Sequence, residues 1–347
     1  MSVSACIISV SGPVLLSEER AFLRETQPWG VILMGRSCVS KTQVTALVND
    51  IHDALGRGAL IFIDQEGGRV ARLKPPEWPK FPSAAHYGAL FETNQDAGVE
   101  ACRLGHQLMG LELSAMGIHA DCAPVGDLRQ TVTHDAIGDR AFGYSVEAVV
   151  TLAETALEGL SDAGVVGCIK HLPGQGRSTV DSHYDLPRVE DDAEQLELDF
   201  SVFSGVSANA KMGMTGHVSY DALDRDIAAT VSDKVISEVI RGRIGFDGLL
   251  MTDDLGMNAL GGSLADRGAR ALAAGCDMLL HCSGFLKEPD AILAEMQEIA
   301  AAAGDLTGRP MERAKAAEAA VQAPAEIDLE AAWARYNELL LPMQSGV

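Results

Sequence analysis

Short apolar, β-branched runs alternate with longer amphipathic stretches along almost the whole chain. The short runs lie at 5–10, 30–33, 60–64, 118–122, 165–171, 212–215, 248–252 and 277–281. Their lengths suit buried strands, which carry side chains of both faces into apolar surroundings. Between and after them, periodicities near 3.6 predict helices over 18–26, 41–55, 96–116, 146–163, 193–209, 232–244 and 265–274. Three more follow at 289–303, 311–323 and 329–341. Strands separated by helices of this length imply a parallel sheet. Eight strand–helix alternations without a Gly/Pro/Ser linker predict one closed α/β (β/α)₈ barrel spanning 1–347 as a single domain. The extra C-terminal helices are expected outside it.

Polar residues recur where the strands finish: Asp64 with Glu66, His119 with Asp121, Lys170-His171, Thr215 with His217, Thr252-Asp253-Asp254, and His281. In a barrel these positions converge at the C-terminal mouth, where barrel active sites lie. Four segments stand out. In IFIDQEGGRVARL (61–73), Asp64 precedes a Gly67-Gly68 turn followed by Arg69 and Arg72. A carboxylate there suits a sugar diol and an Arg suits an oxygen-rich ligand, although a salt-bridged turn without a ligand fits equally well. In CIKHLPGQGRSTVDSHYDLP (168–187), a strand delivers Lys170 and His171, and a polar loop follows with Asp181 and His183. An Asp accepting from one imidazole nitrogen raises the basicity of the other, the arrangement of an acid–base pair. In GFDGLLMTDDLGMNAL (245–260), one of Asp253 and Asp254 is expected to face ligand while the other caps the next helix. In HADCAPVGDL with IGDRAFGY, Asp127, Asp139 and Arg140 occupy a Gly-rich loop, with Arg140 either a ligand clamp or a loop salt bridge.

Composition narrows the partners. Lys and Arg total 27 against 49 Asp and Glu, a formal charge of −22. Such a field repels nucleic acid and anionic membrane surfaces. The seven scattered cysteines form no C-x-x-C pair and fit buried, reduced thiols rather than disulfides or a zinc site. The N-terminus has no basic region or small-residue cleavage site, and no run of 18 apolar residues occurs. A cytoplasmic protein needing no metal or cofactor, and acting as a monomer, is expected.

Taken in order, DQEGGRV, APV-GD, GDRAFG, KHLPGQG with DSH, and TDDLGM resemble glycoside hydrolase family 3. The KH-P-G-G and D-S-H pairing is similar to its bacterial β-N-acetylglucosaminidase branch. Gln175 departs from the His common in P-G-H-G. The resemblance implies a (β/α)₈ barrel, Asp253 as nucleophile, His183 as general acid/base and Asp181 as its orienting partner. It implies that Asp64, Arg72, Arg140, Lys170 and His171 bind N-acetylglucosamine. The implied substrates are N-acetylglucosamine-containing muropeptides, β-1,4-linked to anhydro-N-acetylmuramic acid, in cell-wall recycling. Other family 3 β-glycosidases, an N-acetylglucosaminide phosphorylase and a non-enzymatic sugar-binding barrel remain the competing readings.

Overall fold

The computed structural model describes residues 2–182 and 184–344. The strands β1 (Ser4–Ser9), β2 (Pro28–Leu33), β3 (Leu60–Ile63), β4 (Ala120–Asp121), β5 (Val166–Leu172), β6 (Met212–Thr215), β7 (Leu249–Met251) and β8 (Leu279–His281) form one parallel sheet. Its order is β7-β6-β5-β4-β3-β2-β1-β8. Consecutive strands are therefore neighbours, and β8 returns to β1. A single Met251–Met278 bridge, with hydrogen bonds such as Thr252 N–H to Met278 O (3.0 Å), closes β7 onto β8. The eight-stranded barrel expected from the alternation is present. Every residue of β1, β2 and β3 is buried, which is why these strands read as continuous apolar runs.

Outside the barrel run α1 (Ser17–Thr26), α2 (Lys41–Leu55), α3 (Ala84–Thr93), α4 (Gln95–Ser114), α5 (Val146–Asp162), α6 (Ala193–Ser207), α7 (Leu264–Ala274), α8 (Pro289–Ala303), α9 (Gly308–Ala319) and α10 (Leu329–Gln344). The helix expected between β6 and β7 is π-helical over Val235–Arg243. Helix α10 packs on α4, and α9 is tied below the barrel by Arg313, which donates to Asp277 Oδ1 at 3.0 Å. The extra helices do lie outside the strands.

Helix α3 is not apparent in the hydrophobic pattern. It buries Ala84, Tyr87, Gly88, Leu90 and Phe91 while packing on α4 and α5, but it is only ten residues long, with Gly88 in its middle and Ala89 among its exposed positions, so the contrast between its faces is weak. Its approach to the loop after β4 depends on glycine: a Cβ at Gly88 would lie 1.7 Å from Phe142 O. Gly88→Ala should therefore cost about 1–3 kcal/mol of stability, seen as a lower urea midpoint with unchanged slope.

One strand-end expectation is corrected. His119 lies before β4, with Nδ1 donating to Gly164 O (3.0 Å) at the N-terminal end of the barrel, far from the mouth. With only two ladder residues in β4, the side-chain pattern gave no sharp end to count from.

Candidate active site

The mouth is assembled first by the segment after β3. Gln65 N–H donates to Asp121 Oδ1 (2.9 Å), and Gln65 Oε1 accepts from the N–H groups of Arg72 (2.9 Å) and Leu73 (3.0 Å). This zips Gln65–Gly67 against Val70–Ala71 as a small antiparallel ribbon. The turn needs glycine, because Gly67 has φ +88° and a Cβ there would sit 2.2 Å from Pro82 O. Asp64, Glu66 and Arg72 consequently line the same cavity.

Five charges of alternating sign form its floor. Arg72 Nη2 meets Asp64 Oδ2 at 2.9 Å, and Lys170 Nζ lies 3.2 Å from Asp64 Oδ1 and 2.6 Å from Glu66 Oε1. Arg140 closes the chain with two 2.8 Å hydrogen bonds to Glu66. Burial opposes ionisation of Glu66, but Arg140 and Lys170 outweigh it and hold the carboxyl well below its usual range. Burial likewise works against charge on Lys170, and Glu66 and Asp64 reverse that, raising its pKa. All five groups are charged at neutral pH. Within the row three cations flank two anions, so each carboxylate is held between two positive groups.

His171 sits beside this row. Its Nδ1 is 2.6 Å from Asp127 Oδ2, while Asp127 Oδ1 accepts the backbone N–H groups of His171 (3.3 Å) and Gln175 (2.6 Å). Donation from Nδ1 leaves Nε2 as the acceptor facing Arg140 Nη2 at 3.5 Å. Gln175 also donates from Nε2 to Ser182 Oγ (3.2 Å), so the residue that replaces the expected His bridges the two halves of the loop after β5.

At the end of β7, Asp253 reaches the cavity, with Oδ1 accepting the Asp254 N–H at 2.8 Å. The two adjacent carboxylates do divide their labour, but Asp254 does not cap the next helix. Ser263 caps α7, whereas Asp254 Oδ1 accepts from Gly256 N–H (3.0 Å), Cys282 N–H (3.0 Å) and His281 Nδ1 (2.9 Å). Burial favours its neutral form, yet these donors hold its pKa below the usual carboxylate value. Thr215 and His217 are also supports rather than ligand-facing groups. Both are buried against Thr230, and His217 Nε2 donates to Asp254 O at 3.1 Å.

Of the residues singled out in the sequence, Asp64, Arg72, Arg140, Lys170, His171, Asp181 and Asp253 line one cavity of about 330 Å³. His183 lies outside the described residues. Arg140 is a clamp on Glu66, and Asp139 instead pairs with Arg69 near the surface (3.0 Å). Glu66 and Asp127 carry more of the site than their motifs suggested. The signal for Glu66 was its i+2 spacing from Asp64, which in extended chain places both on one face. Asp127 has no local signal, since its partners come from β5 and the loop beyond it.

The model of the glycosyl hydrolase family 3 N-terminal domain matches residues 8–322. The chain belongs to glycosyl hydrolase family 3. It is thus a glycoside hydrolase, as the motif resemblance implied. Relatives in the family include a β-hexosaminidase of Alkalilimnicola ehrlichii, 38% identical over 306 residues, covering 86% of this chain and 85% of that one. A β-hexosaminidase of Tolumonas auensis is 38% identical over 282 residues, covering 80% and 82%. Among family 3 structures, NagZ of Neisseria gonorrhoeae in complex with N-trifluoroacetyl-D-glucosamine superposes with a TM-score of 0.81 at 27% identity. That match covers 98% of this chain and 99% of the other.

Proposed function

We propose that the chain is a retaining β-N-acetylhexosaminidase that removes terminal N-acetylglucosamine from β-1,4-linked anhydro-N-acetylmuramyl fragments during cell-wall recycling. The observation that carries this reading is the shared cavity of Asp253, Asp181 and the Asp64–Arg72–Lys170–Glu66–Arg140 floor. A fixed row of donors and acceptors fits the hydroxyls of one sugar ring, and a carboxylate oxygen beside it fits attack on the anomeric carbon. The curated relatives named β-hexosaminidase support the choice of sugar.

In this reading Asp253 is the nucleophile, His183 the general acid/base, and Asp181 orients the imidazole. Asp64, Arg72, Arg140, Lys170 and His171 bind the N-acetylglucosamine unit. The Asp253 carboxylate attacks the anomeric carbon as the glycosidic C–O bond breaks, and imidazolium His183 protonates the departing oxygen. Neutral His183 then takes a proton from water, whose oxygen displaces Asp253 from the glycosyl ester. Two inversions retain the β configuration. Imidazole titrates near neutrality, so it serves both steps without the large pKa shift a second carboxylate needs.

The seven cysteines are all free and six are buried, which supports action in a reducing compartment such as the cytoplasm. Among the described residues no helix is long and apolar enough to cross a membrane. Incubation with the N-acetylglucosaminyl–anhydro-N-acetylmuramic acid disaccharide, followed by proton NMR, tests the proposal. The first product seen should be the β-anomer of free N-acetylglucosamine, at a rate unchanged by inorganic phosphate. Initial α-anomer would overturn retention, and a sugar 1-phosphate would make the enzyme a phosphorylase.

A further inference from the structure

Next to Asp253 in the chain begins a second row of charges with no place in the mechanism above. His281, at the end of β8, has no exposed surface. Its Nδ1 is 2.9 Å from Asp254 Oδ1, and its Nε2 is 2.9 Å from Glu295 Oε2 on α8. Ser283 also donates to Glu295 Oε2, fixing the outer carboxylate. Only a doubly protonated imidazole donates from both nitrogens. The inner carboxylate belongs to the residue whose N–H meets Asp253 Oδ1 at 2.8 Å and whose carbonyl accepts from His217.

We propose that His281 is a positioning residue for the reaction: bridging Asp254 and Glu295, it holds the Asp254 peptide so that its N–H fixes one oxygen of Asp253 and leaves the other for attack. The proposal rests on Asp253 being the nucleophile. It makes helix α8, on the outside of the barrel, part of the apparatus that aims the reacting oxygen. A loose carboxylate spreads over orientations that do not react, and misplacement of this kind slows chemistry without abolishing binding.

The same geometry sets a pH limit. Burial alone would lower the His281 pKa, but the hydrogen bonds to Asp254 and Glu295 push it up to about 9. Other titratable or charged groups around this row are buried His217 from the segment after β6, Arg267 on α7, Arg36 after β2, and Cys282, whose thiol burial pushes up. Arg267 and Arg36 are engaged with main-chain oxygens, Leu255 O and Ser283 O among them. Below about pH 9 His281 satisfies both carboxylates. Above it, one N–H remains and one carboxylate loses its donor. Removing the Glu295 charge lowers the His281 pKa, so the alkaline loss of activity must move to lower pH.

The test uses Glu295→Gln, which removes the charge, and Glu295→Ala, which removes the hydrogen bond as well. An activated aryl β-N-acetylglucosaminide is the substrate, because its first step does not need the general acid and kcat/KM then does not report His183. In both variants the alkaline limb of kcat/KM should fall by about one pH unit. Glu295→Ala should also lose about tenfold in kcat/KM near pH 7, while the inhibition constant for N-acetylglucosamine stays within about twofold. Wild-type rates and limbs in both variants would overturn the proposal. A lowered rate with an unmoved limb would mark a packing role and overturn it too. A slow fluorinated N-acetylglucosaminide, used to label the wild type, separates the two layers. Label on Asp253 with an unmoved limb removes the positioning role alone, whereas label on another residue removes the nucleophile and the positioning role together.

Discussion

Asp253→Ala should be essentially inactive, with kcat lower by about 10⁴ to 10⁶, the range expected when a group that forms the covalent intermediate is removed. The loss should be selective for chemistry. Asp253 makes no ion pair with the sugar-binding floor, whose bridges run among Asp64, Arg72, Lys170, Glu66 and Arg140. The variant should therefore still bind N-acetylglucosamine, and its melting temperature should stay close to that of the parent. A fluorinated substrate that traps the glycosyl-enzyme should label Asp253 in the parent protein. The neighbouring carboxylate is a natural control. Asp254 has its Oδ1 bonded to Gly256, Cys282 and His281, which leaves it poorly placed to attack carbon. Label recovered on Asp254 would mean that the two roles are exchanged.

The second large effect concerns the sugar. Hydrolysis of the aryl β-N-acetylglucosaminide should exceed that of the matching β-glucoside by about 10⁴ in kcat/KM, because a site shaped around a polar substituent leaves its own donors and acceptors unpaired when that group is missing. The xyloside, which lacks the exocyclic carbinol as well, should be poorer still. Measuring all three under identical conditions is enough. Similar kcat/KM values for the acetamido sugar and the glucoside would move the enzyme to the β-glucosidase reading of the same barrel.

The barrel was legible because its strands are short and buried on both faces, so the apolar runs themselves mark the strands. Helix α3 was hidden for a different reason: it is only ten residues long, with Gly88 in its middle and Ala89 among its exposed positions, so its two faces contrast weakly. The mouth was legible residue by residue wherever a polar group stands within or just beyond the C-terminal end of a strand, as with Asp64, Lys170 and Asp253. What did not show was how these groups pair. Glu66 becomes the centre of the floor only when β5 brings Lys170 and the loop after β4 brings Arg140, contacts spanning 104 and 74 positions of sequence (170 − 66 and 140 − 66). Asp254 looked like a helix cap because an Asp before a helix usually is one. Here α7 begins beyond Ser263, and strand β8 supplies better donors first. His119 was placed at the mouth because a two-residue ladder gives too little alternation to locate a strand's end.

The closure of the barrel between β7 and β8 by one bridge has a consequence for how the enzyme yields to acid. Each other joint of the sheet keeps a main-chain ladder of at least two residue pairs, whose donors and acceptors do not titrate in the range where proteins survive. At this joint, part of the stitching is a side chain: the Asp254 carboxylate grips the main chain of Cys282 and the ring of His281 across the gap. Its depressed pKa means that the grip is complete above the carboxyl's unfolded value and is lost as pH falls through the folded one. Acidification therefore removes, at this seam, hydrogen bonds that the single main-chain bridge does not replace. The residue standing on that seam is Asp253, so the loss falls beside the carboxylate proposed to react.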